Sequence, residues 1–196
     1  KRLGRGSIIH LGTWIGFDRE GQKGVYETML KQSGAKLSQA SASNGYLAVS
    51  QRFTENQAAL LFVGNYYNEE QEAKVTYTHP RTGEAIPLPY AEASLPWPAL
   101  YGVLSPVCLP VADGIHLLHT TSDVLRLCQN NRQLDITLHG DRDLAGELVL
   151  EGPRVDRVKS GSIGGGPVRM VRYSKRTMFA YRHPHKEDIT LSLHLA

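Results

Sequence analysis

The acidic residues are the side chains most able to do chemistry in this sequence, because glycoside hydrolysis uses a pair of carboxyl groups. The acidic cluster within residues 69–72 is close only because its members share one predicted loop. Asp141, Glu147 and Glu151 stand singly near the ends of predicted strands, without a surrounding motif. We expect these carboxylates to be exposed, ionised and unpaired, and we therefore expect no catalytic residues in this chain.

Histidines and cysteines are common metal ligands, and the sequence contains eight histidines and two cysteines. His183-Pro184-His185 is the only close histidine pair, but no third ligand lies at a defined spacing from it. Cys108 and Cys128 lie among apolar neighbours, so we expect two buried, reduced thiols. We expect no metal site and no cofactor. Five further histidines occupy polar positions of predicted strands, where we expect solvent-facing rings: His79, His116, His119, His139 and His194.

Aromatic residues near prolines and turns offer another kind of chemistry, the recognition of sugars. Sugar rings stack their apolar C–H faces on flat aromatic rings, while amides and carboxylates bind the hydroxyl groups. For Trp97 the alternative interpretation is that its ring closes one end of the hydrophobic core. The candidate carbohydrate-binding residues flank the proline-rich segment or lie in one turn: Trp97, Tyr90, Tyr101, Asn65, Tyr66 and Tyr67.

The elements that position these residues are mostly β-strands. Ala58–Tyr67 is the densest apolar run and combines aliphatic with aromatic residues between turn-like flanks, which predicts a buried strand. Together with residues 46–53 it predicts a hairpin. Further short strands follow at spacings of roughly 8–12 residues, and the last, residues 189–195, alternates apolar and polar side chains. The connection 90–106 is rich in proline and predicts an ordered loop or an edge.

Residues 1–34 predict a different local structure. The segment 7–16, SIIHLGTWIG, has the composition of a buried strand, and Asp18 is placed to cap a helix that covers residues 25–32 and ends at Gly34. Neither the N-terminal glycines nor the run SGSIGGG at 160–166 follows the pattern of a phosphate-binding loop. We expect the glycine run to form a hairpin loop.

Composition and charge exclude several classes of protein. Hydrophobic residues make up 41% and charged residues 21% of the 196 residues, as in folded rather than disordered chains. The net charge is +3, with both signs interspersed and no long basic run, so neither nucleic acid nor a membrane is an expected partner. No signal peptide or membrane-spanning stretch is visible in the sequence, and we expect a cytoplasmic fragment of a longer chain.

Four stretches distributed over most of the chain carry a resemblance to a known family. The segment GRGSIIHLGTW is similar to the closing strand of the α/β domain that follows the catalytic barrel in multidomain β-galactosidases of glycoside hydrolase families 35 and 42, with His10 at the usual tyrosine of a G-x-G-x-x-x-Y-x-G-T pattern. The segment NGYLAVSQRFTENQAALLFVGNYYNEEQEAKVTY resembles their C-terminal β-domain. Two later segments of this chain resemble strands of family 35 enzymes: GVLSPVCLPVADGIHLLHTTSDVL and GDRDLAGELVLEG. In those families both catalytic glutamates belong to the barrel, so the resemblance implies that they are missing here.

Together these observations predict a mainly β fold, an antiparallel β-sandwich preceded by a short strand–helix remnant of an α/β domain. We expect residues 1–36 to hold the remnant and 37–196 the sandwich, with a division into two sub-sheets near 89–106 as an alternative. The expected function is that of an accessory C-terminal region of a β-galactosidase-like glycoside hydrolase, serving interdomain packing or oligomerisation. A carbohydrate-binding module is the alternative. The expected partner is the catalytic barrel of the parent chain, with carbohydrate and a second copy of the chain as further candidates.

Overall fold

In the computed structural model of the protein, the described part of the chain is mainly β with one α-helix. No helix in this part is long and apolar enough to cross a membrane. The predicted domain boundary near residue 36 falls outside the described residues, so the division into domains stays a prediction. The structure describes residues 2–3, 6–7, 19–34, 39–91, 94–140, 145–183 and 188–196.

The N-terminal region contains a two-stranded ladder and the helix. Strands β1 (Arg2–Leu3) and β2 (Gly6–Ser7) pair antiparallel, and helix α1 spans Arg19–Ser33. The predicted helix is confirmed, although it begins before residue 25. It ends as predicted at Gly34, whose φ of +77° is one that glycine adopts without steric cost. The predicted cap and almost all of the predicted strand at 7–16 lie outside the described residues.

The first half of the β region forms three small antiparallel sheets, with strand orders β10-β5-β4, β3-β7-β8 and β6-β9. The predicted hairpin is confirmed as β4 and β5, which pair along their whole length. The proline-rich connection contains two strands, β9 and β10, and both lie at sheet edges, where the missing proline N–H groups are tolerated. The strands are β3 (Ala40–Ala42), β4 (Leu47–Phe53), β5 (Ala59–Asn65), β6 (Gln71–Ala73), β7 (Val75–Thr78), β8 (Ala85–Leu88), β9 (Leu95–Trp97) and β10 (Gly102–Val107).

The second half forms two five-stranded antiparallel sheets. Their strands are β11 (Leu109–Ala112), β12 (Ile115–Thr120), β13 (Asp123–Gln129), β14 (Gln133–His139), β15 (Ala145–Glu151), β16 (Val158–Ile163), β17 (Gly166–Pro167), β18 (Arg169–Arg172), β19 (Arg176–Arg182) and β20 (Ile189–Leu195). A 3-10 helix, Val155–Arg157, precedes β16. We call β11-β12-β15-β19-β18 the central sheet and β13-β14-β20-β16-β17 the C-terminal sheet. The predicted hairpin in the glycine run is confirmed as β16 and β17.

Two hydrophobic cores lie on opposite faces of the central sheet. Successive strand residues point to opposite faces, and on β15 Leu148 and Leu150 belong to one core while Val149 belongs to the other. The first core, shared with the three small sheets, is the N-terminal core. The second, shared with the C-terminal sheet, is the C-terminal core. The central sheet is therefore covered on both faces, which decides the surroundings of its polar residues.

The two cysteines have different environments, and neither forms a disulfide. Cys108 is fully buried in the N-terminal core, as predicted. Cys128 is exposed, so the prediction of two buried thiols is wrong for this residue. The reason is its place on β13, the edge strand of the C-terminal sheet, where it lies opposite Asp135.

Candidate functional site

Strand β15 presents two glutamates to the N-terminal core. Glu147, Val149 and Glu151 alternate with the leucines that enter the C-terminal core, so all three point the same way. At about 3.3 Å per strand residue, the Cα atoms of Glu147 and Glu151 are roughly 13 Å apart. The carboxyl groups of glycosidases are separated by about 5–9.5 Å. The two glutamates form separate hydrogen-bonding centres, because each binds its own histidine.

Glu151 lies at the centre of the first network. Its Oε1 is 2.7 Å from His79 Nε2, and Cys108 Sγ is 3.3 Å from the same nitrogen and 3.5 Å from Oε1. His79 Nδ1 accepts hydrogen bonds from the backbone N–H groups of Arg81 and Thr82, at 3.2 and 3.1 Å. Since Nδ1 is an acceptor, the ring is neutral and carries its proton on Nε2, which donates to Glu151.

These residues offer a potential metal site, because one ligand atom each from His79, Cys108 and Glu151 lies within 4.8 Å of the others. The hydrogen bonds argue against it. A metal on His79 Nε2 would move the ring proton to Nδ1, where it would face two N–H donors. Arg176 Nε also lies 3.4 Å from Glu151 Oε2, and its positive charge would repel a cation. We therefore interpret the cluster as a hydrogen-bonded network.

The same geometry makes Cys108 a poor nucleophile. Burial and the neighbouring Glu151 carboxylate raise the pKa of Cys108 to about 12, so the thiol stays protonated near neutral pH. A catalytic Cys–His pair needs a lone pair on the histidine nitrogen that faces sulfur. His79 Nε2 carries a proton instead. The network has the residue types of a nucleophilic triad but not its protonation pattern.

Glu147 forms the second network, deeper in the molecule. Its Oε1 is 2.8 Å from Nε2 of His119 and accepts the backbone N–H of Tyr90 at 2.6 Å. His119 Nδ1 is 2.7 Å from the hydroxyl of Tyr77. Burial raises the pKa of Tyr77 well above its ordinary value, which keeps the phenol protonated as a donor. The chain phenol–imidazole–carboxylate connects β7, β12 and β15 within the N-terminal core.

Several predictions of exposure are wrong. His79 and His119, expected to face solvent, are 3% and 0% exposed, and Glu147 is buried and paired instead of free. The physical reason is that the small sheets cover the face of the central sheet that carries His119 and Glu147. His79 follows β7 of a small sheet and is enclosed at the same contact, against Glu151. His139 and His194 are exposed as predicted.

Of the predicted residues Asp141, His183 and His185, the structure describes only His183. Asp141 lies outside the described residues. His183 is buried, and its Nε2 is 2.7 Å from Ser122 Oγ. Its predicted partner His185 lies outside the described residues, so the histidine pair is not placed.

Two predicted sugar-binding residues lie inside the N-terminal part of the fold. Trp97 is 2% exposed, and its indole N–H donates to the carbonyl of Ala73 at 3.1 Å, in agreement with the alternative interpretation of a core residue. Asn65 is fully buried, and its amide donates to the carbonyls of Glu69, Trp97 and Pro98. Neither side chain presents an open surface to a ligand.

The four predicted tyrosines have varied environments. Tyr66 is 63% exposed, whereas Tyr67 packs its ring edge-to-face against Tyr46 at 5.3 Å. Tyr101 is partly buried, and its carbonyl accepts the backbone N–H of Asn65. Of the six predicted residues, Tyr90 alone lines a cleft that lies beside Glu151. The structure therefore does not gather the six into one patch.

That cleft has a volume of about 860 Å³ and opens beside Glu151. Its lining includes Glu84, Tyr173 and Arg176, which the sequence patterns do not single out. Glu84 and Arg176 are 92 positions apart in the chain, and only the packing of two hairpins brings them together. The cleft combines aromatic surface with paired charges, an arrangement suited to binding a polar ligand.

Comparison with known proteins adds no assignment. Neither protein-family models nor curated protein sequences yield a match to this chain. The relation to families 35 and 42 therefore stays a prediction from the residue motifs.

Proposed function

We propose that this chain is an accessory, non-catalytic C-terminal region of a β-galactosidase-like glycoside hydrolase, and that it packs against the catalytic barrel of its parent chain. In this proposal the five-stranded sheets form a β-sandwich, and helix α1 is the end of a preceding α/β domain. The motif resemblance supports the parent class. The observation that carries the packing role is an apolar surface on the outside of the sheet β10-β5-β4.

On β5 and β10 the residues that alternate with the buried ones are mostly apolar, whereas β4 contributes Ser50 and Arg52 to the same face. Leu61 and Val63 are fully buried, while Leu60 on the opposite face is 42% exposed. Leu104 is 49% exposed and lies directly opposite Phe62 in the ladder. Contiguous exposed apolar residues mark protein–protein contacts more often than isolated ones do. A covering partner would remove this surface from water.

The ionisable side chains support the non-catalytic half of the proposal. Glu147 and Glu151 are each hydrogen-bonded to a histidine, and Glu151 also lies beside Arg176. A carboxyl group that accepts hydrogen bonds within the fold is already engaged and is not a free general acid, which supports a packing role for both residues.

Cysteine labelling of the apolar surface tests the packing role. In a Cys128→Ser background, Leu104→Cys is compared with the control Thr190→Cys, an exposed position on the C-terminal sheet. We expect a maleimide to label Leu104→Cys readily in this chain and at least about tenfold more slowly in the parent enzyme, because interface cores exclude solvent. Thr190→Cys should react equally in both. Equal labelling of Leu104→Cys in the two proteins would contradict the proposal.

A carbohydrate-binding module is the second candidate function. It is favoured by the cleft beside Glu151, which contains a partly exposed tyrosine among hydrogen-bonding groups. Retardation of the chain in a native gel that contains galactan would support this function, with a gel lacking polysaccharide as the control.

A further inference from the structure

Two hairpin turns from distant parts of the chain form facing walls of the cleft. In the first, the His79 N–H donates to the Glu84 carbonyl at 2.8 Å and closes the turn between β7 and β8. In the second, the Tyr173 N–H donates to the Arg176 carbonyl at 2.8 Å and closes the turn between β18 and β19. The turns are joined by Arg176, whose two terminal nitrogens bind the two Glu84 oxygens at 3.2 and 2.7 Å. This two-point contact fixes the orientation of the carboxylate.

The cleft also contains two tyrosine rings with different accessibility. Tyr90 and Tyr173 pack edge-to-face, with ring centroids 5.0 Å apart. The Arg176 guanidinium lies over the Tyr90 ring at 5.4 Å and donates to its hydroxyl at 3.0 Å. Tyr90 is therefore held between neighbours, while Tyr173 is 37% exposed. Tyr173 is the ring that offers an open aromatic surface.

The charges of the lining balance, which argues for a neutral ligand. His79 adds no charge, because its Nδ1 accepts two backbone hydrogen bonds. Arg176 is paired with Glu84 and Glu151, and the other charged groups of the lining carry both signs, so a charged ligand would meet like as well as opposite charges. The charged residues of the lining are three acids, Glu84, Glu151 and Asp156, and three bases, Arg81, Lys175 and Arg176.

Glu84 supplies the acceptor that such a ligand requires. The hydrogen bond from Arg176 holds the pKa of the Glu84 carboxyl below its ordinary value, so it is an acceptor near neutral pH. The Glu84 side chain remains 51% exposed, which leaves lone pairs accessible from the cleft. An open aromatic surface beside a fixed carboxylate can bind both the apolar face and the hydroxyl groups of a polyhydroxylated ring.

We propose that this cleft binds a neutral sugar ring, with Tyr173 stacking on its C–H face, Glu84 accepting hydrogen bonds from its hydroxyl groups, and Arg176 positioning Glu84. The inference refines the second candidate function and is independent of the packing role. The volume of the cleft, about 860 Å³, is within the range of about 300–1,000 Å³ typical of small-molecule sites.

Ligand-observed NMR on the whole chain tests this site with galactose, glucose and N-acetylglucosamine, and with galacturonate and glucosamine as charged comparisons. We expect binding of at least one neutral sugar with a Kd of the order of 1 mM, and weaker binding of its charged counterpart. Tyr173→Ala should weaken that binding at least about tenfold, whereas Tyr173→Phe should stay within about twofold, because the ring is retained. Glu84→Gln should weaken binding by about threefold to tenfold.

The matched control is Tyr66→Ala, which removes an exposed tyrosine outside the cleft and should leave the Kd unchanged. Melting temperatures of all variants establish that they are folded. Sugar binding that survives Tyr173→Ala but is lost in Tyr66→Ala would contradict the proposal that the sugar binds in the cleft. It would still support a carbohydrate-binding module. Failure of all five sugars to bind at about 50 mM would overturn both. The labelling result at Leu104→Cys would be unaffected by either outcome.

Discussion

The two histidine–glutamate pairs on β15 have the same residue types but different surroundings. The His119–Glu147 side chains are 0% and 7% exposed, and the histidine is bound on its other side by the Tyr77 hydroxyl. The His79–Glu151 side chains are 4% and 13% exposed and border the cleft. The inner pair is therefore less exposed than the outer pair, although Glu147 also lines a smaller cleft of about 330 Å³.

This difference predicts how much each pair contributes to stability. A buried polar group that loses its partner keeps its full cost of desolvation, while a group near solvent recovers a hydrogen bond from water. The inner pair should thus behave as a structural connection between the small sheets and the central sheet. The outer pair should be tolerant of change and is free to contribute to ligand binding.

The largest effect is expected from breaking the inner pair. Glu147→Leu removes the acceptor for His119 and for the Tyr90 N–H, leaving two buried donors unpaired. We expect the free energy of unfolding in urea to fall by about 3 kcal/mol. The exposed Glu55→Leu is the control and should change it by less than about 0.5 kcal/mol. A loss at Glu147 as small as the control would show that the network is not structural.

A smaller effect is expected from the outer pair. Glu151→Leu removes the acceptor for His79, but Arg176 keeps its two-point contact with Glu84 and water can enter from the cleft. We expect a loss of about 1.5 kcal/mol in the same urea measurement. If Glu151→Leu cost as much as Glu147→Leu, the contrast between a more buried and a more open pair would be wrong.

The smallest effect is expected from removing the Glu84–Arg176 contact, and it concerns how the melting temperature depends on pH. Because the folded-state pKa of Glu84 is lowered, its contribution to stability is present above the ordinary pKa and is lost as pH falls through the folded value. We expect the melting temperature to decline less below about pH 4.5 in Glu84→Gln than in the unchanged protein. The Asp135 carboxyl, whose pKa the Gln133 amide lowers, acts in the same direction in both proteins. Parallel melting curves would show that the contact does not contribute.

Sequence periodicity predicts the strands well but not what covers them. The alternation over Ile189–Leu195 matches the observed burial residue by residue, because one face of β20 is covered and the other is open. On β15 the same reasoning fails, since both faces are covered. One signal of this was present: Val149 lies between Glu147 and Glu151 on the face that the glutamates suggest is polar.

The residues that line the cleft could not be predicted from the sequence, for a different reason. Glu84 and Tyr173 lie in separate hairpin turns, and their proximity depends on how the small sheets dock on the central sheet. No local pattern encodes that docking. Tyr90 was predicted as a sugar-binding residue from its proline-rich surroundings, and it is the one predicted tyrosine that reaches the cleft.

Hydrolysis of nitrophenyl glycosides by the purified chain tests the central claim most directly, namely that its carboxyl groups serve packing and not catalysis. The account predicts no release of nitrophenol from the β-galactoside, β-glucoside or β-glucosaminide above the buffer background. Turnover that survives both Glu147→Gln and Glu151→Gln would point first to a contaminating host enzyme. Turnover that disappears in either variant, with the melting temperature showing a folded protein, would contradict the account.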